Sequence, residues 1–364
     1  MRVLHVSQPT EAGVALVVRQ LAADQVRRGY DVRVACPQAG PLAGEVGEAG
    51  AEHHDWPARR APGLSVAGET IRLRRIIEAV DPDVVHLHSS KAGLAGRLVL
   101  RGRLPTVFEP NGWSFLVGGP VGAAALRWER LADRWCDAII SVSEGEREVG
   151  ERSGVAGRFV LIPNALDLEV FTPVSEGDRR AARLQLGLPD EPLAVCVGRL
   201  SRQKGQDVLL RAWPRVAAEV PQAGLVLVGD GPDAEALAAQ GVAGVRLAGH
   251  REDVPAWLAA ADVVALPSRW EGLSLVMLQA MARGRSVVSA DVAGARDSLS
   301  EGAGAIVPIE DDVALANALV ERLRDPALAA AEGEAGRRVV VERHDVRRMG
   351  EAVAALYTEV LARS

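Results

Sequence analysis

Residues 263–266, Val-Val-Ala-Leu, form an apolar run that Pro267 closes, and from Ser274 apolar side chains recur at Leu275, Leu278 and Met281 up to Gly284. Such a run reads as a strand buried on both faces, which a parallel sheet covered by helices provides. The longer period after it, ended by glycine, reads as a helix packed on that strand. The same alternation recurs along the chain. Runs stand at 2–6, 32–36, 83–88, 106–109, 137–142 and 159–162, then at 193–197, 224–228, 245–248, 286–290 and 304–307. A length of 364 residues suits two ordinary domains. The expected fold class is therefore α/β, with two Rossmann-like doubly wound domains facing each other across a cleft. We place them at 1–170 and 171–345, with 165–178 as linker and a last helix within 346–364.

Glu271 and Gly272 fall in the turn at the carboxyl end of the 263–266 strand, where open α/β sheets hold their ligands. Gly272 lets backbone approach a ligand closely, and the amides of Leu273, Ser274 and Leu275 at a helix start suit an anion. A carboxylate beside an anion site fits a ligand that is part polyol and part phosphate, provided cations come from elsewhere. Arg199 and Lys204 follow the 193–197 strand and Gly198, giving a bidentate fork and a mobile point charge for a diphosphate. Only Lys91 and Lys204 among the 42 basic residues are lysines, so each is singled out.

These segments resemble the retaining glycosyltransferases of family 4, enzymes of the GT-B fold that use nucleotide-sugar donors. The family carries Glu, seven residues, then Glu; here Glu271 is the first and Gln279 stands at the second, where the family meets the ribose. A Pro-His-Gly loop of the family, whose His contacts the donor sugar, reads Pro110-Asn111-Gly112 here. Paired glycines in the first βα turn become Ala12-Gly13. The resemblance implies Glu271, Arg199, Lys204 and Asn111 as catalytic groups. It implies Gly13, His250, Arg251, Gly272, Leu273, Ser274, Leu275 and Gln279 beside the donor, a UDP- or GDP-sugar, with no metal and no other cofactor. It also implies a C-terminal helix that crosses back to the N-terminal, acceptor-binding domain.

His88 and Lys91, at the end of the 83–88 strand, are expected to face the acceptor, a sugar-hydroxyl compound that is a lipid-linked glycan or a small molecule. Trp113 reads either as a core aromatic or as an apolar wall for that acceptor. His86 and His88 share a strand face, but with no third ligand His86 reads as packed rather than metal-binding. The neighbours His53 and His54 read as a surface pair. Residues 59–103 hold nine basic and four acidic side chains, including Arg72, Arg74, Arg75, Arg97, Arg101 and Arg103. They are a solvated face or a dock for anionic membrane.

Two rivals come from other classes. Gly229-Asp230-Gly231 after a strand fits a dinucleotide turn and hence an NAD-dependent oxidoreductase. The substitutions at Asn111 and Gln279 suit a GT-B binding protein without turnover. Asp81-Pro82-Asp83 has a metal spacing but precedes its strand, and no Gly-x-Ser-x-Gly is present. A net charge of −6 disfavours a nucleic-acid partner. Three scattered cysteines and no signal-like or membrane-spanning run suggest a cytoplasmic location, peripheral at most to the membrane's inner face.

Overall fold

The computed structural model describes residues 1–60, 63 and 65–363. Positions 61, 62 and 64 of the basic 59–103 stretch, and 364 of the last segment, lie outside the described residues. The chain forms two compact units, Met1–Asn164 with Val346–Ser364, and Ala165–Asp345. The first unit thus ends ahead of the expected boundary at 170.

The first unit is built on seven strands, β1 (Arg2–Ser7), β2 (Asp31–Cys36), β3 (Glu52–Asp55), β4 (Val84–His88), β5 (Thr106–Glu109), β6 (Ala138–Ser141) and β7 (Phe159–Leu161). They pair in parallel in the order β3-β2-β1-β4-β5-β6-β7. The order reverses at β1, so the ends of β1 and β4 mark the unit's topological switch point. Every residue of β4 and β5 is buried, as helices on both faces require. The edge strand β3 is a correction to the sequence reading. Its His53 and His54 are half-buried and paired with Val34 and Ala35 of β2, and His53 Nε2 lies 3.0 Å from the Cys36 carbonyl.

Two glycines set the helix Ser89–Leu100 close against this sheet. A Cβ on Gly93 would lie 2.4 Å from Phe108, and one on Gly96 2.3 Å from Leu87, so any larger residue would push the helix away. The C-terminal helix Val346–Arg363 belongs to this unit. Gly350 brings it against the helix Ala12–Arg27, where a Cβ would stand 2.3 Å from Asp24. Tyr357 of the C-terminal helix is fully buried.

The second unit has six strands, β8 (Leu193–Val197), β9 (Gly224–Val228), β10 (Val245–Gly249), β11 (Val263–Leu266), β12 (Ser286–Ala290) and β13 (Gly304–Val307). All pair in parallel in the order β10-β9-β8-β11-β12-β13, which puts the switch point between β8 and β11. Leu209, Trp213, Leu225, Leu227 and Leu319 fill its core. A reciprocal cap starts the helix Glu176–Leu186 within the expected linker: Ser175 accepts from the Asp178 amide while Asp178 accepts from the Ser175 amide. Such a cap stabilises a helix by about 1 kcal/mol, which explains why the chain orders there. Among the described residues no helix is long and apolar enough to cross a membrane.

Candidate active site

The loops that follow β8 and β11 meet at the switch point of the second unit. Gly205 adopts φ +67°, and a Cβ on it would lie 2.0 Å from the Pro267 carbonyl oxygen. Only glycine allows that approach and that backbone angle. Hydrogen bonds then knit the loops together. The Arg269 amide donates to the Gln203 carbonyl at 2.8 Å, and Gln203 Nε2 to the Trp270 carbonyl at 3.1 Å. The Arg269 guanidinium reaches both Asp207 oxygens at 2.8 and 2.7 Å. Buried Gln206 shapes the β8 loop by donating to the Arg199 carbonyl at 3.1 Å. Gln206, Asp207 and Arg269 were not singled out in the sequence, because single polar residues at a helix start or in a loop carry no periodic signal.

On this platform Lys204 Nζ donates to Glu271 Oε1 at 2.5 Å, and Ser268 Oγ donates to the same oxygen at 2.9 Å. The two side chains keep 24% and 12% of their surface exposed, so the pair is sheltered yet within reach of a ligand. Arg199 is exposed on the same loop after β8. Gly272, Leu273, Ser274 and Leu275 are all buried, and Ser274 Oγ accepts the Met277 amide at 3.4 Å to start the helix Leu275–Ala282. Gln279, one turn further on, is half-exposed. His250 is exposed beyond the edge strand β10, whereas Arg251 is already held by Asp253 through two bonds of 2.8 and 2.7 Å. The structure thus brings Lys204 and Glu271 together at the start of the 272–275 turn, with Arg199 exposed on the β8 loop and Arg251 in a surface ion pair with Asp253.

Gly229 and Gly231 serve a different end from the one a dinucleotide turn requires. A Cβ on Gly229 would lie 2.0 Å from the Gly198 carbonyl, and one on Gly231 2.2 Å from that of Leu200. The Leu200 amide also donates to the Asp230 carbonyl at 2.9 Å. These glycines admit the neighbouring β8 loop rather than a pyrophosphate.

In the first unit Asn111 takes φ +53° in the loop after β5. Its Nδ2 donates to Glu109 Oε1 at 2.9 Å, and the next amide, Gly112 N–H, donates to Glu146 Oε1 at 2.5 Å. Trp113 Nε1 donates to the Glu146 carbonyl at 2.8 Å. Burial pushes the Glu146 carboxyl up to about 7, although the Val142 and Gly112 amides favour its charged form. Gly13 lies at the start of the first helix, half-buried, and Ala12 beside it takes φ +61°.

Burial corrects two acceptor candidates, His88 and Lys91, and favours the core reading of Trp113. Trp113 is 1% exposed, stacked on Phe115 and edge-on to Phe108 and Phe159. Lys91 is buried and its Nζ lies 2.9 Å from Glu69 Oε2. A buried ammonium needs such a partner, so this lysine is spent inside the unit. Arg97 likewise leaves the basic surface, bonded to Glu129 at 2.7 Å with its guanidinium carbon 3.9 Å from the Phe108 ring centre. Arg59, Arg60, Arg72, Arg74, Arg75, Arg101 and Arg103 remain exposed.

His88 is also fully buried, and His86 has neighbours that the sequence reading did not find. His5 of β1 pairs with His86 in register, and ring nitrogens of His5, His86 and His88 lie within 4.8 Å of one another. His5 Nδ1 is 2.9 Å from His88 Nε2, and His5 Nε2 is 2.8 Å from Gln25 Oε1. His86 Nδ1 is 2.8 Å from the Tyr357 hydroxyl. His86 Nε2 and His88 Nδ1 both lie 3.2 Å from Glu109 Oε2. These last two contacts fall outside hydrogen-bond geometry: both nitrogens stand at ion-pair distance from one shared oxygen without a hydrogen bond to it. The spacing is that of a metal triad, but every nitrogen is turned to a neighbouring side chain.

Two family patterns match the chain: Glycosyltransferase Family 4 over residues 12–170 and Glycosyl transferases group 1 over 191–325. A GDP-mannose-dependent alpha-(1-6)-phosphatidylinositol monomannoside mannosyltransferase of Mycolicibacterium smegmatis is 32% identical, over 84% of this chain and 87% of that protein. An alpha-maltose-1-phosphate synthase of the same organism is 30% identical, over 96% of each. Among solved structures, a sucrose-phosphate synthase from Thermosynechococcus elongatus superposes with TM-score 0.86 at 24% identity, covering 100% of both chains. Anabaena HepE in complex with UDP-glucose gives 0.84 at 23% identity, over 99% of this chain and 100% of that one. At those identities the structural likeness speaks for the fold, which is GT-B.

Proposed function

The chain is a glycosyltransferase of family 4, and on that premise we propose that it moves a sugar from a nucleoside-diphosphate donor to an acceptor hydroxyl with retention of anomeric configuration. The observation that carries this reading is the Lys204–Glu271 pair at the β8/β11 switch point, with Arg199 exposed on the same β8 loop. A lone carboxylate would repel a diphosphate, whereas one already neutralised by lysine leaves room for a polyanion. In this reading the diphosphate takes up Arg199, Lys204 and the amides that open the helix Leu275–Ala282. Glu271, relieved of part of its ion pair, accepts hydroxyls of the donor sugar. As the glycosidic bond breaks, negative charge grows on the leaving phosphate, where the two cations stabilise it most. The acceptor hydroxyl attacks from the face the phosphate leaves and gives its proton to that phosphate. No titrating side chain is needed in that route, which accommodates Asn111 where the family has histidine.

We assign donor binding to the second unit and acceptor binding to the first. UDP- and GDP-sugars are the donors to try first: the mannosyltransferase relative is named for GDP-mannose, and HepE was solved with UDP-glucose. The acceptor in this proposal is a lipid-linked glycan or a small hydroxylated molecule. The test is release of nucleoside diphosphate from a panel of UDP- and GDP-sugars, with and without glycolipid acceptors. No turnover with any donor, together with tight nucleotide binding, would favour a binding protein instead.

The exposed arginines at 59, 60, 72, 74, 75, 101 and 103 support contact with anionic membrane at its cytoplasmic face. Vesicles containing anionic lipid should retain the protein at low salt and release it as salt rises. Equal retention on neutral vesicles, or none at all, argues for a soluble acceptor.

A further inference from the structure

The contacts around the three histidines close on themselves. Gln25 meets His5, His5 meets His88, and His88 meets Glu109; Glu109 meets His86, His86 meets Tyr357, and Tyr357 returns to Gln25 at 3.4 Å. The ring joins β1, β4, β5, the helix Ala12–Arg27 and the C-terminal helix, and all six side chains are buried. Four of the six contacts are hydrogen bonds and need one hydrogen each. At the other two, a ring nitrogen 3.2 Å from Glu109 Oε2 must turn its N–H rather than its lone pair toward the carboxylate, although neither meets hydrogen-bond geometry. Neutral imidazoles supply one each, the tyrosine hydroxyl supplies one, and the glutamine amide directs one into the ring. An ionised Glu109 supplies none. Five hydrogens therefore face six contacts, and turning the Gln25 amide over moves the gap from His88 to His86 without filling it. In the neutral ring one imidazole lone pair must face a carboxylate oxygen in a buried site, which is strongly unfavourable.

We infer that the ring holds one proton beyond its neutral complement, making an imidazolium against Glu109, and that Glu109 so balanced is the positioning residue that sets Asn111. An ionised carboxylate only accepts, so it fixes Asn111 with its NH₂ group toward Glu109 Oε1. The carbonyl Oδ1 then turns away from Glu109 and is the atom that, in this reading, meets a sugar hydroxyl. The functional half of the inference rests on the reading of Asn111 given above. Glu109 is held well below the usual carboxylate range: burial pushes it up, but His86 and His88 outweigh that effect. Burial and neighbouring histidines lower His5 and His86, the latter to about 4, so neither is the place for the extra proton. With Gln25 Oε1 accepting from His5, the gap, and with it the extra proton, falls at His88 beside Glu109. The other carboxylate near Glu109 is Glu146, which is not a ring member.

Imidazole nitrogen NMR of the full chain at about pH 8.5, where ordinary histidines are neutral, tests the proton. One imidazolium signal is expected to persist in the wild type and to vanish in Tyr357→Phe, because opening the ring leaves four hydrogens for four contacts. A wild-type spectrum with only neutral imidazoles overturns the inference, as does a stoichiometric metal found by elemental analysis. The chain has three asparagines, so the Asn111 side-chain amide is assignable by its loss in Asn111→Ala. Its protection from exchange should drop in Glu109→Gln; unchanged protection overturns the positioning role. In turnover, Glu109→Gln should lower kcat about tenfold with donor KM within about twofold, and should add nothing in an Asn111→Ala background. An equal loss in both backgrounds overturns the coupling. If Asn111→Ala turns over like wild type, the reading of Asn111 fails by itself, while the two spectra still decide the proton and the orientation. Should Glu109→Gln not fold, the wild-type and Tyr357→Phe spectra suffice to overturn or support the charged ring.

Discussion

Lys204 Nζ and Glu271 Oε1 stand 2.5 Å apart, so the cation we assign to a phosphate and the carboxylate we assign to a sugar neutralise each other in this structure. Removing Lys204 therefore does two things: it takes charge from the leaving phosphate and leaves Glu271 to repel it. Lys204→Ala is expected to cut kcat/KM at least about a hundredfold, on the order of 3 kcal/mol. Wild-type turnover in a folded variant would show that the diphosphate lies elsewhere.

Gln279 sits half-exposed on the helix that begins at Leu275. An amide offers a ribose one acceptor oxygen, whereas a carboxylate offers two with charge assistance, a difference of about 1–2 kcal/mol. The ribose is remote from the reacting bond, so Gln279→Glu should lower donor KM with kcat little changed. A KM that stays or rises would place the side chain on a merely solvated face. Both residues have similar helix propensity, so stability should be unaffected.

Ala12 adopts φ +61°, a region that disfavours any residue with a Cβ by about 1–2 kcal/mol. Ala12→Gly relieves that strain and adds some unfolded-state entropy, for a net gain of up to about 1 kcal/mol. Urea unfolding should show a higher midpoint at unchanged slope. A lower midpoint would mean that the alanine methyl contributes packing that outweighs the strain.

Glu146 makes stability depend on pH in the direction opposite to most carboxylates. Burial raises its folded-state value from the usual 4.5 to about 7. Between those values the folded chain binds more protons than the unfolded one, so this group's contribution falls as pH rises from about 4.5 to 7 and is flat above. The full span is on the order of 3 kcal/mol. Glu146→Gln should flatten that part of the unfolding free energy measured from pH 4.5 to 8. An unchanged pH dependence would show that the carboxyl ionises freely.

The buried strands of both units were legible because apolar runs such as Val263–Leu266 have no other stable placement. β3 was not, since Glu52, His53, His54 and Asp55 carry no apolar run at all; its order comes from pairing with β2 along the sheet edge. The histidine ring was invisible for a related reason. His5 and His88 are far apart in sequence, and only the strand order β1-β4-β5 makes neighbours of His5, His86, His88 and Glu109. Lysine scarcity drew attention equally to Lys91 and Lys204, yet composition carries no information on burial. Glu69, the residue that decides Lys91's role, lies on a separate helix.

The same scarcity has a practical edge. With Lys91 shut away at 5% side-chain exposure, Lys204 is the one lysine amine that a reagent in solution can reach. Amine-directed dyes, crosslinkers and coupling resins, which scatter over most proteins, would here find one lysine, beside Glu271, and the α-amine of Met1. On the donor-site reading proposed above, coupling at Lys204 should lower turnover, and bound nucleotide should protect that amine from labelling.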